Sequence, residues 1–337
     1  MADTDTLVLV TVIFRHGDRT PDTLDTFPLN PYQNHTFFPY KNGEVTHKGQ
    51  ERMINIGNDL RKRYEAFLGD VFYTDIVEST TSSYTRCQMS LQCVHAGLFP
   101  PNIKTGIPCK GLLWQAVPFK IIPFETDKLI SIHIHCPKLI QNINPERIPQ
   151  EDKELLEYIQ EHSGFDKLEY LSAMRVYDIF KTSLEAGLEL PDWVKPIWPE
   201  QLRNIAYKFW LHFQNKRRAI AAGPMIKQII DQAKTKISEI HDPHGRKMYL
   251  YAVHDMNLHA LRGALSIWDD QTVEYGAHLI FELHNIDDVY GFKIFFQNSY
   301  NEPKLMTIPG YDDFITLEEF ENYTEEHYAP GCTCDDI

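Results

Sequence analysis

The sequence predicts an α/β protein with a mostly parallel central sheet flanked by helices and a mostly helical insertion that forms a cap. Three observations predict this class. An apolar, β-branched run near the start is typical of a central strand covered on both faces. Strand and helix patterns then alternate, which favours a parallel sheet. Several consecutive helical segments occupy the middle of the chain before strand patterns return.

The first part of the chain alternates between strand and helix patterns. Thr46 is a suitable N-cap residue, and the Pro100-Pro101 pair ends the last helix of this part. The expected elements are a strand at Thr6–Phe14, a helix at Thr46–Phe67, a strand at Ile76–Ser79, and a helix that is capped by Ser82 or Ser83 and runs to Leu98.

The remaining chain divides into a helical part and a strand-rich part. Helical patterns are found at Glu151–His162, Leu168–Ala186, Glu200–Arg217 and Met225–Glu239. Strand patterns follow at Lys247–Val253, Ala277–His284 and Tyr290–Gln297. We therefore expect residues 1–105 and 240–337 to form the α/β core and residues 106–239 to form the cap.

Composition and charge exclude several classes of protein. Apolar residues make up 43% and charged residues 24% of the 337, as in ordinary globular proteins. No apolar run approaches the roughly 20 residues of a membrane span. The net charge of −14 argues against nucleic-acid binding. The 15 histidines and a pI of about 5.5 are compatible with an acidic compartment.

A cluster of charged residues follows the first strand, in Arg15-His16-Gly17-Asp18-Arg19-Thr20-Pro21. Open α/β sheets place their ligands at the carboxyl ends of strands. Two guanidinium groups in this segment match the oxygens of a phosphate. They also disfavour a positive charge on His16, so its pKa should be depressed and its neutral ring nucleophilic. The segment therefore indicates a phosphate site with His16 as the attacking group.

Two further pieces point to the same chemistry. His254-Asp255 follows a second buried strand pattern, which suggests a phosphate donor and a proton donor. An ordinary helix cap is the alternative for Asp255. Arg86 lies in the first turn of a predicted helix, and a helix N-terminus favours anions. A solvated surface arginine is the alternative there.

Together these pieces resemble the histidine acid phosphatase family, on the branch with RHGxRxP and HD motifs. RHGDRTP (Arg15–Pro21) and HD (His254-Asp255) carry the resemblance, which covers nearly the whole chain. Thr46–Tyr64 is similar to the family's first long helix, and Ser82–Pro101 is similar to the segment with its third phosphate-binding arginine. The stretches that look most like the prostatic and insect venom acid phosphatases are Leu112–Phe119, Leu190–Pro199 and Met306–Gly310, with Phe67–Asp70 and Glu282–Asn285 favouring the insect proteins.

The resemblance implies an acid phosphomonoesterase that forms a phosphohistidine on His16 and uses Asp255 as proton donor. It implies no metal or other cofactor, because arginines supply the positive charge. Asp18 occupies a position that varies in the family, and we interpret it as a supporting residue. The residues that would bind the phosphoryl group are Arg15, Arg19, Arg86 and His254.

The six cysteines permit zero to three disulfide bonds. The resemblance implies that Cys136 bridges to the C-terminal segment, with Cys332 or Cys334 as its partner. Cys87 and Cys93 stand on different faces of one predicted helix, and we interpret both as buried thiols.

Sequence signals also bear on location and assembly. Possible glycosylation sites at Asn34 and Asn322, together with a disulfide, favour a secreted or lysosomal protein. The polar start, Met1–Thr6, does not have the features of a signal peptide. The resemblance implies a homodimer with Trp114 as a candidate interface residue.

Two other features carry less weight. His133-Ile134-His135-Cys136 contains zinc-ligand residue types, but strand alternation would put Cys136 on the opposite face from the histidines. We therefore do not interpret it as a metal site. Trp193 and Trp198 either line a substrate pocket or pack the insertion against the core.

Several functions compete with a broad acid phosphatase. A phytase would share both motifs, although Asp22, Asp25 and the net charge of −14 disfavour a substrate with six phosphates. A lysophospholipid phosphatase is a second enzyme reading, in which the insertion holds an acyl chain. A non-catalytic phosphate-binding or antigenic protein is a third possibility, which the intact His16 and Asp255 disfavour.

Overall fold

The computed structural model describes residues 4–101, 114–140, 148–211, 216–242, 245–268, 272–298, 302–327 and 334–336. The strands within these residues are β1 Leu7–Arg15, β2 Val77–Ser82, β3 Lys120–Ile122, β4 Met248–Val253, β5 His278–Ile286, β6 Val289–Gln297, β7 Lys304–Met306 and β8 Ile315–Thr316. The helices are α1 His47–Leu68, α2 Thr85–Leu98, α3 Ile132–His135, α4 Gln150–Ser163, α5 Tyr170–Glu185, α6 Glu200–Leu211, α7 Lys216–Ser238, α8 Asp255–Ala264 and α9 Leu317–His327.

The strands form one mixed sheet in the order β3-β2-β4-β1-β5-β6-β7, with β8 paired to β6. Strands β1, β2, β3 and β4 pair in parallel, as the alternating pattern predicts. From β5 onward the pairing is antiparallel. The β5–β6 hairpin turns at Asp287 and Asp288, which both have positive φ, as a two-residue hairpin turn requires. The predicted α/β class is thus confirmed, and the parallel half carries the predicted site residues.

Strand β1 lies in the middle of the sheet because its side chains are apolar on both faces. Leu9 and Ile13 pack in the cluster that includes α7 and α8. Val10, Val12 and Phe14 pack on the other face against α1 and α2. Burying each such side chain contributes roughly 1.5–3 kcal/mol, so β1 is a fixed platform for the loop that follows it.

The boundaries of several elements differ from the sequence prediction. Ser82 ends β2 and does not cap α2, whose N-cap residue is Tyr84, because Val77–Ser82 pairs with β3 and β4 on both sides. Strand β3 was not predicted, and it joins the sheet from within the segment expected to form the cap. Helix α7 begins at Lys216 and contains Pro224, where the prediction starts the helix after that proline.

The helices α4–α7 lie between β3 and β4 in the chain, and α5 and α6 pack closely together. Trp193 packs against Phe180 and His162, and Trp198 stacks on Tyr177. In these contacts both tryptophans pack within the helical part itself. Among the described residues, every helix is too short or too polar to cross a membrane.

The segment from His133 to Cys136 is a short helix followed by an irregular turn, and the predicted strand alternation is wrong there. Cys136 forms a disulfide with Cys334, and their Cα atoms lie 5.3 Å apart. Cys332 lies outside the described residues. Cys87 is buried and Cys93 is partly buried, and neither is in a disulfide.

Candidate active site

The topology explains why His16 and His254 meet. Strands β1 and β4 are parallel neighbours, and the last residue of β1, Arg15, is in register with Val253 at the end of β4. The next residue of each strand therefore leaves the sheet at the same edge. The His16 backbone N–H donates to the Val253 carbonyl at 3.1 Å, and the two imidazole rings lie 5.6 Å apart. Two motifs more than 200 residues apart thus form one cluster.

The His16 ring is held in one tautomer. Its Nδ1 lies 3.0 Å from the carbonyl oxygen of Gly17, and a carbonyl only accepts. Nδ1 therefore carries the proton, and Nε2 keeps its lone pair. Burial, followed by the positive charges of Arg86 and Arg15, holds the pKa of His16 well below its usual value. The ring is therefore a neutral base with a nucleophilic Nε2.

The loop that carries His16 is fixed by close packing on α1 and α2. The Gly17 N–H donates to the Ser90 hydroxyl of α2 at 3.0 Å. A Cβ at Gly17 would lie 2.6 Å from the carbonyl oxygen of Gly49, so only glycine allows α1 to approach this closely.

Asp18 faces away from the histidines and anchors the same loop. It accepts hydrogen bonds from Arg52 Nε at 2.5 Å and Nη2 at 3.1 Å, and Lys48 Nζ lies 3.1 Å away. Although burial disfavours the charged carboxylate, Arg52 and Lys48 lower the pKa of Asp18. These contacts suit the supporting role expected for this residue.

Three arginines converge beside His16. Arg15 and Arg19 are buried, and the side chain of Arg86 is 12% exposed. Arg15 stacks on the Tyr275 ring at 4.2 Å and Arg86 stacks on Tyr84 at 4.2 Å. In all three arginines Nε is buried without a hydrogen-bond partner. Buried donors without acceptors are costly, so the cluster is incomplete without further acceptor atoms.

Four carboxylates surround these arginines, and sequence reasoning identified only one of them as part of the site. Asp255 pairs with Arg15 at 2.8 Å. The carboxylates that sequence reasoning missed, with their distances, are Asp22 on Arg86 at 3.0 Å, Asp25 on Arg19 at 3.1 Å and Asp178 on Arg19 at 2.9 Å. Asp178 stands on α5, in the helical insertion, and no sequence motif marks it.

His254 is buried in a pocket of polar and aromatic groups. Its Nε2 lies 3.4 Å from the Ser82 hydroxyl, and its ring lies 4.9 Å from Tyr84 and 6.5 Å from His133. Burial, with Arg86 as the next cause, holds the pKa of His254 well below its usual value. Its backbone N–H donates to the Asn257 side chain at 3.1 Å, which fixes the start of α8.

Asp255 is the first residue of α8, and the N-cap position belongs to His254. The cap alternative for Asp255 therefore does not describe this helix. Its Oδ1 accepts from the Met256 backbone N–H at 2.8 Å, while Oδ2 contacts Arg15. With 31% of its side chain exposed, Asp255 is the most accessible of the four carboxylates and borders a small pocket lined by α5 and α6.

A larger cleft of about 330 Å³ lies next to Arg19, between residues 35–48 and the end of α5. His47 and Lys48 contribute basic groups to its lining, and Glu185 contributes an acidic one. Within the described residues, no group of three or more His, Cys, Asp or Glu side chains is arranged to hold a metal ion.

Comparisons with known proteins identify the family to which the chain belongs. The model of the histidine phosphatase superfamily (branch 2) matches residues 6–297. The venom acid phosphatase Acph-1 of Apis mellifera is 30% identical over 92% of this chain and 82% of its own length. The human lysosomal acid phosphatase is 28% identical over 95% of this chain and 77% of its own length. The human prostatic acid phosphatase is 27% identical over 93% of this chain and 83% of its own length.

Solved structures show the same fold. A Hafnia alvei phytase in complex with tartrate superimposes with a TM-score of 0.68 over 99% of this chain and 100% of its own, at 17% identity. The Citrobacter braakii phytase gives a TM-score of 0.66 over 97% of this chain and 99% of its own, at 15% identity. The match over residues 6–297 confirms the resemblance predicted from the two motifs, and the chain belongs to the histidine phosphatase superfamily, branch 2.

Proposed function

We propose that this protein is an acid phosphomonoesterase that hydrolyses phosphate monoesters through a phosphohistidine on His16. The observation that carries the proposal is the tautomer of His16, which leaves a lone pair on Nε2, in a ring that lies near three arginines with unpartnered Nε groups. A bound phosphoryl group would supply the missing acceptors and place phosphorus before Nε2.

The proposed first step transfers the phosphoryl group to the protein. Nε2 of His16 attacks phosphorus, and the bond from phosphorus to the ester oxygen breaks with its electron pair on that oxygen. Asp255 in its protonated form donates its proton to the leaving oxygen, so the product departs as a neutral alcohol. The position of Asp255 at the exposed side of the cluster supports this role.

The second step returns the protein to its starting state. Water attacks the phosphohistidine and gives a proton to the Asp255 carboxylate, the bond from phosphorus to nitrogen breaks, and phosphate leaves. The residues proposed to bind the phosphoryl oxygens and stabilise transition-state charge are Arg15, Arg19, Arg86 and His254. This chemistry uses the protein's own side chains at every step.

The curated relatives support phosphomonoester hydrolysis, because they are named acid phosphatases and are 27–30% identical to this chain. The phytases share the fold at 17% identity or less, which does not carry their substrate to this chain. Four carboxylates around the arginines also disfavour a substrate as highly charged as phytate. Phytate, a lysophospholipid phosphate and p-nitrophenyl phosphate should nevertheless be assayed together.

We further propose a secreted or lysosomal protein with glycans at Asn34 and Asn322. Both asparagines are exposed, and the Cys136–Cys334 disulfide suits an oxidising compartment. A homodimer is proposed with Trp114, 54% exposed, at the interface. The position of α4–α7 between β3 and β4 supports a cap within 106–239 over a core of 1–105 and 240–337.

The test is hydrolysis of p-nitrophenyl phosphate between pH 4 and 8, with and without EDTA, for the wild type and His16→Ala. We expect activity that peaks on the acid side, is unaffected by EDTA and is lost in the variant. The matched control is His241→Ala, an exposed histidine before the opposite end of β4. Saturable phosphate binding without release of p-nitrophenol would contradict the proposal and favour a binding protein.

A further inference from the structure

The side-chain charges around the proposed phosphate site would disfavour binding of an anion if every aspartate were ionised. Three arginines stand against four aspartates, and both histidines are held neutral by burial and nearby positive charge. With every aspartate ionised, this cluster would carry a net negative charge. A phosphate dianion would then meet repulsion in a poorly solvated place.

Two of the aspartates accept hydrogen bonds from the same nitrogen atom. Oδ2 of Asp25 and Oδ2 of Asp178 lie 3.1 Å and 2.9 Å from the same Nη2 of Arg19. Asp25 belongs to the loop after β1, and Asp178 belongs to α5 in the helical insertion. One nitrogen of Arg19 therefore binds two carboxylates. The single positive charge of Arg19 can offset only one of their two negative charges.

Their surroundings make two negative charges costly. The side chain of Asp25 is 22% exposed and that of Asp178 is 14% exposed. Burial, followed by the charge of Asp178, raises the pKa of Asp25 to about 7. A nearby negative charge disfavours ionisation of a buried carboxyl group, so Asp25 keeps its proton to a higher pH than usual.

We propose that Asp25 keeps a proton at acid pH and that Asp25 and Asp178, as positioning residues, control phosphate binding through Arg19. With the proton present, the pair carries one negative charge and Arg19 is available to the phosphoryl oxygens. When the proton is lost, two carboxylates hold Arg19 and repel the substrate. This inference rests on the proposed phosphate site and explains why such a site would require acid.

Other ionisable groups face the pair, and none replaces it in this role. On the loop after β1, Asp22 is occupied by Arg86. Across the site, Asp255 is occupied by Arg15, and on α5 Lys181 pairs with Glu274. The remaining charged or titratable neighbours are His16, His254, Tyr84, Tyr177, Tyr275 and Glu185.

Sulfate is the probe, because it stays a dianion throughout the range of the experiment and is not hydrolysed. Its affinity is measured by calorimetry with the full chain between pH 5 and 8.5. For the wild type we expect the Kd to be nearly constant on the acid side and to rise by roughly tenfold per pH unit above about pH 7, as loss of one linked proton requires. Titrations at pH 8 in buffers of different ionisation enthalpy should show uptake of about one proton per sulfate.

The variants distinguish the effect of Asp25 and Asp178 from the effect of other charges near the site. Asp25→Asn and Asp178→Asn each remove one of the two carboxylates, so the rise in Kd above pH 7 should shrink to less than threefold. Glu185→Gln is the control: it removes an exposed carboxylate two turns further along α5 that has no ion pair with Arg19. It should keep the wild-type slope.

The outcomes distinguish this inference from the proposed function. A wild-type Kd that is flat with pH, no proton uptake, or no sulfate binding would overturn the proposed control by the Asp25 proton without any variant. An unchanged slope in both Asn variants would overturn it as well. Hydrolysis of p-nitrophenyl phosphate is measured separately, so a protein with the expected sulfate linkage and no turnover would refute the proposed function alone.

Discussion

Two buried clusters of charge in this protein are built in opposite ways. In the first, Glu282 on β5 is fully satisfied: Oε1 accepts from Arg63 at 2.8 Å and Tyr64 at 2.6 Å, and Oε2 contacts His284 Nε2 at 3.3 Å. The second cluster lies at the ends of β1 and β4. There the arginine Nε donors have no acceptor, while Asp25 and Asp178 both accept from one nitrogen of Arg19.

The pKa values of the carboxylates show the same contrast. Although burial disfavours the charged form, His284 and Arg63 lower the pKa of Glu282. Burial and a second carboxylate raise the pKa of Asp25 to about 7. A cluster that is complete within the chain stabilises the fold. The spare arginine donors of the second cluster suit a further anion once one of its surplus carboxylates is protonated.

The largest expected effect is on turnover, from His16→Ala at the incomplete cluster. Without the nucleophile, kcat should fall by about 10⁴–10⁶-fold, as in other enzymes that lose the attacking group. Steady-state assays with p-nitrophenyl phosphate measure this loss. The unfolding midpoint in urea should change little, and a variant that keeps a tenth of the activity would contradict the assignment.

Asp255→Asn should have the next largest effect. Removing the proposed proton donor should lower kcat on alkyl phosphates by about 10²–10⁴-fold. The loss on p-nitrophenyl phosphate should be much smaller, because that leaving group needs little protonation. Equal losses on the two substrates would exclude Asp255 as the general acid.

Arg63→Met tests the complete cluster. It leaves Glu282, whose side chain is 2% exposed, without its cationic partner. Unfolding in urea should show a loss of about 3 kcal/mol, while kcat per folded molecule stays the same. Lys195→Met, which breaks an exposed pair with Asp192, is the control and should leave stability unchanged. A large fall in kcat would mean that the clusters are coupled.

The last prediction concerns how the free energy of unfolding of Asp25→Asn changes with pH. The pKa of Asp25 is about 7 in the folded protein against an ordinary value of 3.8, so its stabilising contribution is present below 3.8 and is lost as pH rises toward 7. Relative to the wild type, the variant should gain roughly 1.4 kcal/mol of stability for each pH unit between pH 4 and 7. Urea unfolding without phosphate or sulfate measures this, and a relative loss over that range would contradict the raised pKa.

The sequence predicted the half of the site that lies in short motifs. Arg15, His16 and Arg19 follow a strand whose apolar pattern is unmistakable, and His254 follows another. It could not predict which side chains oppose the arginines, because Asp178 reaches Arg19 only through the packing of α5. Local patterns carry no information on contacts set by tertiary packing.

The fold shows the same division. Elements with a strong period of their own, such as β1 and α1, begin and end close to the predicted residues. Short edge strands such as β3 and β7 were missed, because three residues paired on one neighbour carry little pattern. Helix α7 was predicted to start after Pro224, yet it begins at Lys216, with Ile220 and Ala222 buried in the core. Burial of an apolar face can outweigh the local cost of a proline.

The most direct test of the account is to trap the covalent intermediate. The wild type, His16→Ala and His241→Ala are mixed with a phosphate monoester labelled in its phosphoryl group, quenched rapidly and analysed for protein-bound label. We predict a label that is acid-labile and base-stable, present in the wild type and in His241→Ala and absent from His16→Ala. An acid-stable label, or one that survives in His16→Ala, would show that another residue attacks phosphorus.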